Sequence, residues 1–313
     1  MQRKTQTVKK QRRAIHGVLL LNKPRGISST QALGRAKWLI GAEKAGHTGT
    51  LDPLADGLLP LCFGHATKLA HDLLDADKTY VAGIVLGKST STGDMEGEAT
   101  FSSDAVISEQ QWQAILPKFL GEIMQVPPMY SALKKDGKPL YELARSGIEV
   151  EREARCVTIV SLETLSFEYP NVLLKVRCSK GTYIRTLAED MGKALSVGAH
   201  LSSLKRVGVG DLDIASAMTL EALEAVPETE RENVLLPLDA LLQNCPAVHL
   251  EDTEAQRFVQ GQRLKVDTAD AEMVRVYWND AQKDILIGLA GVLRNTLSPK
   301  KVLMNILLSS ESR

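Results

Sequence analysis

The chain has 313 residues, 44% hydrophobic and 24% charged, too long for one ordinary domain and comfortable for two. Its 38 Lys/Arg balance 38 Asp/Glu, so bulk charge excludes a uniformly basic or acidic protein. The charge is nevertheless polarised: residues 1–50 carry eleven Lys/Arg against Glu43, and residues 211–260 carry eleven Asp/Glu against Arg231 and Arg257.

Residues 1–16 read as a flexible basic arm, and "GVLLLNKP" as a buried strand stopped by Pro24. The apolar run is too short for a signal peptide and lacks a small-residue cleavage site, and no stretch reaches bilayer-spanning length. The expected address is therefore the cytoplasm. "SSTQALGRAKWLIG" carries a Ser28-x-x-Gln31 capping box, helical spacing of Leu33, Ala36, Leu39 and Ile40, and a closing Gly41. A Gly-, Thr- and Pro-rich loop over 46–57 feeds "GLLPLCFG", an apolar run too short for a helix. "ATKLAHDLLDADK" has amphipathic helical spacing, and "TYVAGIVLG" alternates as a strand.

Residues 88–107 are polar and turn-rich, and "SEQQWQAILPKFLG" predicts a helix. "CVTIVSLETLSFEY" and "VLLKVRCSKG" predict neighbouring strands on either side of a Pro-Asn turn. "TYIRTLAEDMGKAL" predicts a helix, "HLSSLKRVGVGDLDI" a strand, and the acidic "LEALEAV" and "ENVLLPLDALLQ" two further helices. Near Ala247 the pattern changes: a short helix in "DTEAQRFVQG" precedes the alternating pieces "MVRVYW" and "DILIGLAGVL". Strands with helices between them indicate an α+β architecture, with a main domain over 17–246 and a small β-rich domain over 247–313.

The four cysteines, Cys62, Cys156, Cys178 and Cys245, form no C-x-x-C pair, as expected of reduced thiols. His47, His65, His71 and His200 make neither H-E-x-x-H nor a compact ligand set, so no metal is expected. "GHTGTLDP" lacks the G-K-[ST] of a phosphate loop, and there is no G-x-S-x-G elbow. The carboxylates of that loop, Asp52 and Asp56, are poorly placed for glycoside hydrolysis, which sets two acids facing each other across a sugar. Taken alone, Asp52-Pro53 is a good turn signal and reads as structural.

Two other stretches point to chemistry. "CSKGTYIRT" puts Lys180, Tyr183 and Arg185 beside a glycine at a strand-to-helix junction, where free backbone N–H groups can meet an anion. "MYSALKKDGKPLYELARSG" interleaves Tyr130 and Tyr141 with Lys134, Lys135, Lys138 and Arg145, rings for bases and cations for phosphates. An ordinary helix start and a solvated hairpin account for the same residues equally simply.

Taken in order, "GVLLLNKPRGISS", "GHTGTLDPLADGLLPLCFGHATK", "DKTYVAGIVLG", "VPPMYSALKKDGKPLYELARSGIEVEREAR", "CSKGTYIRTLAEDMG" and "GAHLSSLKR" resemble the bacterial tRNA pseudouridine synthases of the TruB type, over roughly 17–210. That resemblance implies isomerisation of uridine 55 in the tRNA T loop. It implies a central, mainly antiparallel sheet flanked by helices, with a small C-terminal RNA-binding domain of the PUA type. By the same resemblance Asp52 is the catalytic aspartate, Tyr80 the base-stacking tyrosine, and Arg185 the arginine that pairs with the aspartate. Tyr183 matches a second active-site tyrosine, Leu204 an apolar residue of the uracil pocket, and His47 a histidine that holds the opened T loop. Lys23, Lys134 and Lys135 are expected at the RNA, the last two in an RNA-gripping insertion over 129–155. Asp56 receives no role. Asp94 is matched to a polar active-site residue, in a loop that departs from the family's pattern.

Pseudouridine formation moves no electrons and adds no atoms, so no cofactor or metal is expected. The 129–155 insertion, the T-loop-type motifs and the modest C-terminal domain resemble the standalone bacterial enzyme, which implies no guide RNA, the T arm of tRNA as partner, and a monomer. A non-catalytic RNA-binding protein is the main rival, and a guide-dependent relative the second.

Overall fold

The computed structural model describes residues 12–70, 75–131, 133–242, 244–280 and 283–303. Residues 1–11 of the basic arm, and His71, lie outside them. A nine-stranded sheet organises most of the chain. Its strands run Gly17–Lys23, Asp56–Phe63, Ala199–Val209, Lys78–Leu86, Asn171–Cys178, Arg155–Glu168 and Gly121–Gln125. Ala45–His47 adds to Asp56–Phe63, and Leu212–Asp213 to Ala199–Val209. Every pairing in it is antiparallel except one: Asp56–Gly57 runs parallel to Lys205–Arg206.

Both faces of the Gly17–Lys23 strand are covered, which is why its sequence is an unbroken apolar run. Leu19 and Leu21 pack under the helix Ser29–Ile40 together with Leu59, Leu61 and Phe63. Val18 and Leu20 point the other way, into a cluster with Leu58, Cys62, Val209, Leu241, Leu242, Tyr277, Leu286 and Leu289. The helix begins and ends as its sequence requires. Ser28 and Gln31 form the reciprocal capping box, and Gly41 closes it in the left-handed conformation at φ 80°.

Further along, the helix Ile184–Ala194 lays Leu187, Ala188 and Met191 on Ala82, Ile84, Val176 and Leu201. Trp112, on the short helix Glu109–Ile115, completes that layer and donates its indole N–H to Thr164 Oγ1 at 2.9 Å. Tyr80 and Leu204 pack against both the Ser29–Ile40 layer and the Ile184–Ala194 layer, so they stand at the seam between them.

The C-terminal segment forms its own five-stranded sheet, ordered Ala247–Leu250, Ala271–Asp280, Lys283–Leu293, Thr296–Val302 and Leu264–Lys265, with the helix Asp252–Val259 on it. It is a curled, PUA-like sheet, and Tyr277, Leu286 and Leu289 join its core to that of the main sheet.

Some elements differ from the sequence reading. "ENVLLPLDALLQ" holds only the 3₁₀ turn Leu238–Leu241, because Pro237 interrupts any longer helix. Of "ATKLAHDLLDADK", Ala66–Lys68 finish the 3₁₀ segment Gly64–Lys68, Ala70 is helical, Lys78 opens the strand Lys78–Leu86, and 71–74 lie outside the described residues. The polar stretch 88–107 contains a small hairpin, Lys88–Thr90 with Ala99–Ser102.

Candidate active site

The 46–57 loop owes its shape to its anchors. Ser29, buried at the start of the first helix, donates its hydroxyl to Leu51 O at 3.0 Å and accepts from Leu51 N at 2.8 Å. Ala55 N closes back on Asp52 O, and Gly26 N donates to Pro53 O. The backbone on both sides of Asp52 is therefore fixed, while its side chain stays half-exposed.

Arg185 is the second residue of the helix Ile184–Ala194, and its placement depends on a similar clamp. Gln125, buried on the edge strand, accepts from Tyr183 N at 3.1 Å and donates to Tyr183 O at 3.3 Å. From there the guanidinium, itself 8% exposed, donates to Asp52 Oδ2 at 2.8 Å and Tyr130 O at 2.7 Å through Nη2. Its Nη1 meets Thr92 O at 3.1 Å and Asp94 Oδ2 at 3.5 Å. Asp94, 7% exposed at its side chain, also accepts from Thr92 Oγ1 and from Glu96 N. A planar fork is what allows one cation to serve two carboxylates and two carbonyls at once.

These groups open on a cavity of about 260 Å³ lined by Asp52, Tyr80, Tyr183, Arg185, Leu204 and Arg206. The catalytic trio expected from the sequence, Asp52, Tyr80 and Arg185, is thus gathered in one pocket, with Tyr183 and Leu204 on its wall. Burial raises the phenol pKa of Tyr80, and the buried Arg206 cation opposes that rise. Burial likewise raises Tyr183. Lys78, also on the pocket wall, is lowered to about 8 by burial.

The remaining expected residues lie elsewhere. His47 sits on the short strand Ala45–His47; burial, then Arg206, lowers its pKa, which favours the neutral imidazole. Its Nδ1 is buried without a hydrogen-bond partner among the described residues. Lys23 is fully buried and does not line the pocket. Its Nζ donates to Ile27 O at 2.6 Å and Pro24 O at 2.9 Å, which closes the turn after the first strand, and burial lowers it to about 8. Lys134 and Lys135 stand exposed on the hairpin Lys134–Lys135 and Lys138–Pro139, with Lys135 Nζ donating to Glu151 O. Asp56 opens the strand Asp56–Phe63 outside the pocket wall.

Sequence reasoning missed Arg206, Gln125 and Ser29, and left the role of Asp94 open. Nothing local marks Ser29 or Gln125, whose partners lie 22 and 58 residues away. Asp94 and Arg206 carried a signal, a charge among apolar or turn residues, with no local indication of the site it serves.

Residues 37–184 match the model described as TruB family pseudouridylate synthase (N terminal domain). Residues 185–243 match the tRNA pseudouridylate synthase B C-terminal domain, and 246–303 match "Pseudouridine synthase II TruB, C-terminal". The chain is 55% identical over 300 residues to tRNA pseudouridine synthase B of Burkholderia mallei (strain NCTC 10247), covering 94% of this chain and 98% of that one. It is 54% identical over 308 residues to tRNA pseudouridine synthase B of Ralstonia nicotianae (strain ATCC BAA-1114 / GMI1000), covering 96% and 98%. Among solved structures it resembles Cbf5 in the archaeal box H/ACA sRNP Nop10-Cbf5 complex, with a TM-score of 0.69 and 24% identity over 93% of this chain and 87% of that one. A Cbf5-Nop10-Gar1 complex gives the same TM-score at 26% identity, over 92% and 85%.

Proposed function

The chain belongs to the TruB family of pseudouridylate synthases and is an isomerase that forms pseudouridine in tRNA; from that premise we propose that its target is uridine 55 of the T loop, reached by base flipping and without guide RNA. The observation that carries the reading is the Arg185–Asp52 pair at 2.8 Å on the wall of a cavity shared with Tyr80.

The reaction breaks the N1–C1′ bond and makes a C5–C1′ bond; C5 gives up its proton, and N1 ends protonated. It needs a carboxylate that stays ionised beside the sugar. Arg185 supplies the opposing charge, and the half-exposure of Asp52 leaves one side of it open to substrate. Tyr80 offers a ring to the uracil face, and its phenol remains protonated because burial raises its pKa. Leu204 and Tyr183 wall the site so that the detached base stays in place to re-bond through C5.

Extruding a base costs a few kcal/mol. In this reading the exposed Lys134 and Lys135 of the 129–155 insertion and the half-buried His47 supply compensating contacts to the arm. We assign 17–246 to the catalytic domain and 247–313 to RNA binding, and place the enzyme in the cytoplasm as a monomer. Among the described residues no helix is long and apolar enough to cross a membrane.

The test is tritium release from C5 of the uracil in a purified T-arm stem-loop, with protein and no other RNA. Release confined to position 55 supports the proposal. Release only from other positions of tRNA overturns the target, and release only on adding a guide overturns the guide-independence.

A further inference from the structure

Four residues from four neighbouring strands stand in a row across the main sheet: Lys23 pairs with Gly57, Gly57 with Arg206, and Arg206 with Tyr80. Residues in register share a face, so Arg206 and Tyr80 project to the same side. The row closes only around glycine: Gly57 has φ +104°, and a Cβ there would stand 2.2 Å from the Arg206 carbonyl oxygen.

Arg206 is 1% exposed, and its side chain turns towards the catalytic loop. Nε donates to Leu58 O at 2.7 Å and Nη2 to Gly49 O at 3.2 Å. Gly49 precedes Asp52 and Leu58 follows it, so one guanidinium grips the chain on both sides of the aspartate. The same side chain lines the cavity beside Tyr80, where its charge opposes the effect of burial on the phenol.

We infer that Arg206 is a positioning residue of the isomerisation: it ties the Asp52 loop to its own strand, which pairs at Arg206 with Tyr80, and so fixes the separation of carboxylate and ring across the bound base. The inference rests on the catalytic roles proposed for Asp52 and Tyr80. A lysine at 206 keeps the charge but has a single nitrogen, which cannot reproduce the fork that spans two carbonyls.

Arg206→Lys and Arg206→Gln in the full chain separate the fork from the charge. Each variant is checked by thermal melting and compared with the parent for C5 tritium release from unmodified tRNA, for tRNA affinity, and for backbone hydrogen exchange. In both, kcat is expected to fall about 100-fold while tRNA affinity stays within about threefold, the signature of misplaced reacting groups. Exchange in peptides spanning 46–56 quickens, and in peptides from 155–178 it does not. Parent-like kcat in Arg206→Lys overturns the inference, because charge alone would then suffice. Unchanged exchange over 46–56 overturns it too, as does failure of both variants to melt cooperatively, since the side chain would then hold the sheet rather than the loop. The exchange readout needs no substrate, so a parent protein inactive on tRNA refutes the catalytic reading while the loop tie is still decided.

Discussion

Three aspartates stand around the pocket with different prospects. Asp52 is half-exposed and faces the cavity, Asp94 is buried behind Arg185, and Asp56 lies off the wall. Asp52→Asn keeps the shape and removes the charge; turnover is expected to vanish while tRNA affinity stays within about threefold, read by tritium release and filter binding. Asp56→Asn leaves turnover within about twofold by the same assay, because substitutions away from the reacting atoms remove no interaction made only in the transition state. Arg185→Lys fails more severely than its formal conservatism implies. One ammonium cannot reach Asp52, Asp94, Thr92 O and Tyr130 O together, and a buried Asp94 left without its partner costs about 3–5 kcal/mol of stability. Loss of kcat together with a lowered denaturation midpoint checks this; near-parent values for both refute it.

Secondary-structure elements reach the site through buried polar side chains that clamp backbone. Ser29 takes both the N–H and the C=O of Leu51, and Gln125 takes both of Tyr183. Ser29 holds the residue before Asp52 and Gln125 holds the residue two before Arg185, so the loop of Asp52 is held by the first helix and the start of the arginine helix by the edge strand. Ser29→Ala strands a buried amide and carbonyl and is expected to cost about 2 kcal/mol. The denaturant midpoint reports that loss, and kcat should fall further than the midpoint alone implies because the loop shifts. An unchanged kcat would show that the remaining anchors suffice. The first helix itself was legible, since its capping box, apolar spacing and Gly41 all act within a few residues. The helix expected over "ENVLLPLDALLQ" was not, because its apolar periodicity competes with Pro237 and with contacts to the main sheet.

Across the whole molecule, the C-terminal sheet is a partner of the main sheet's core. Tyr277, Leu286 and Leu289 bury against Val18, Leu20, Leu58 and Val209, so the boundary near Ala247 divides the sequence pattern more sharply than it divides the packing. Ending the chain at 246 uncovers that apolar face. We expect a lower melting temperature and increased binding of a hydrophobic dye relative to the full chain; an unchanged melt would mean that the two sheets are energetically independent.

By itself the sequence determined the elements and the chemical inventory of this protein. Strand alternation, helix caps and turn residues are short-range, and the resemblance of the ordered motifs implied a shared site for Asp52, Tyr80 and Arg185. Loop chemistry alone made Asp52 look structural, and only its companions along the chain reversed that reading. The tertiary structure decided what depends on partners far apart in the chain. Arg185 meets Asp52 across 133 residues and Arg206 meets Leu58 across 148, and no local pattern encodes such pairings. Lys23 shows the same limit from the other side: the resemblance placed it at the RNA, yet it is buried and its Nζ closes the turn after the first strand. Charge is written in the sequence, but whether a charge faces solvent, substrate or another side chain is set by which strands pair and what covers them.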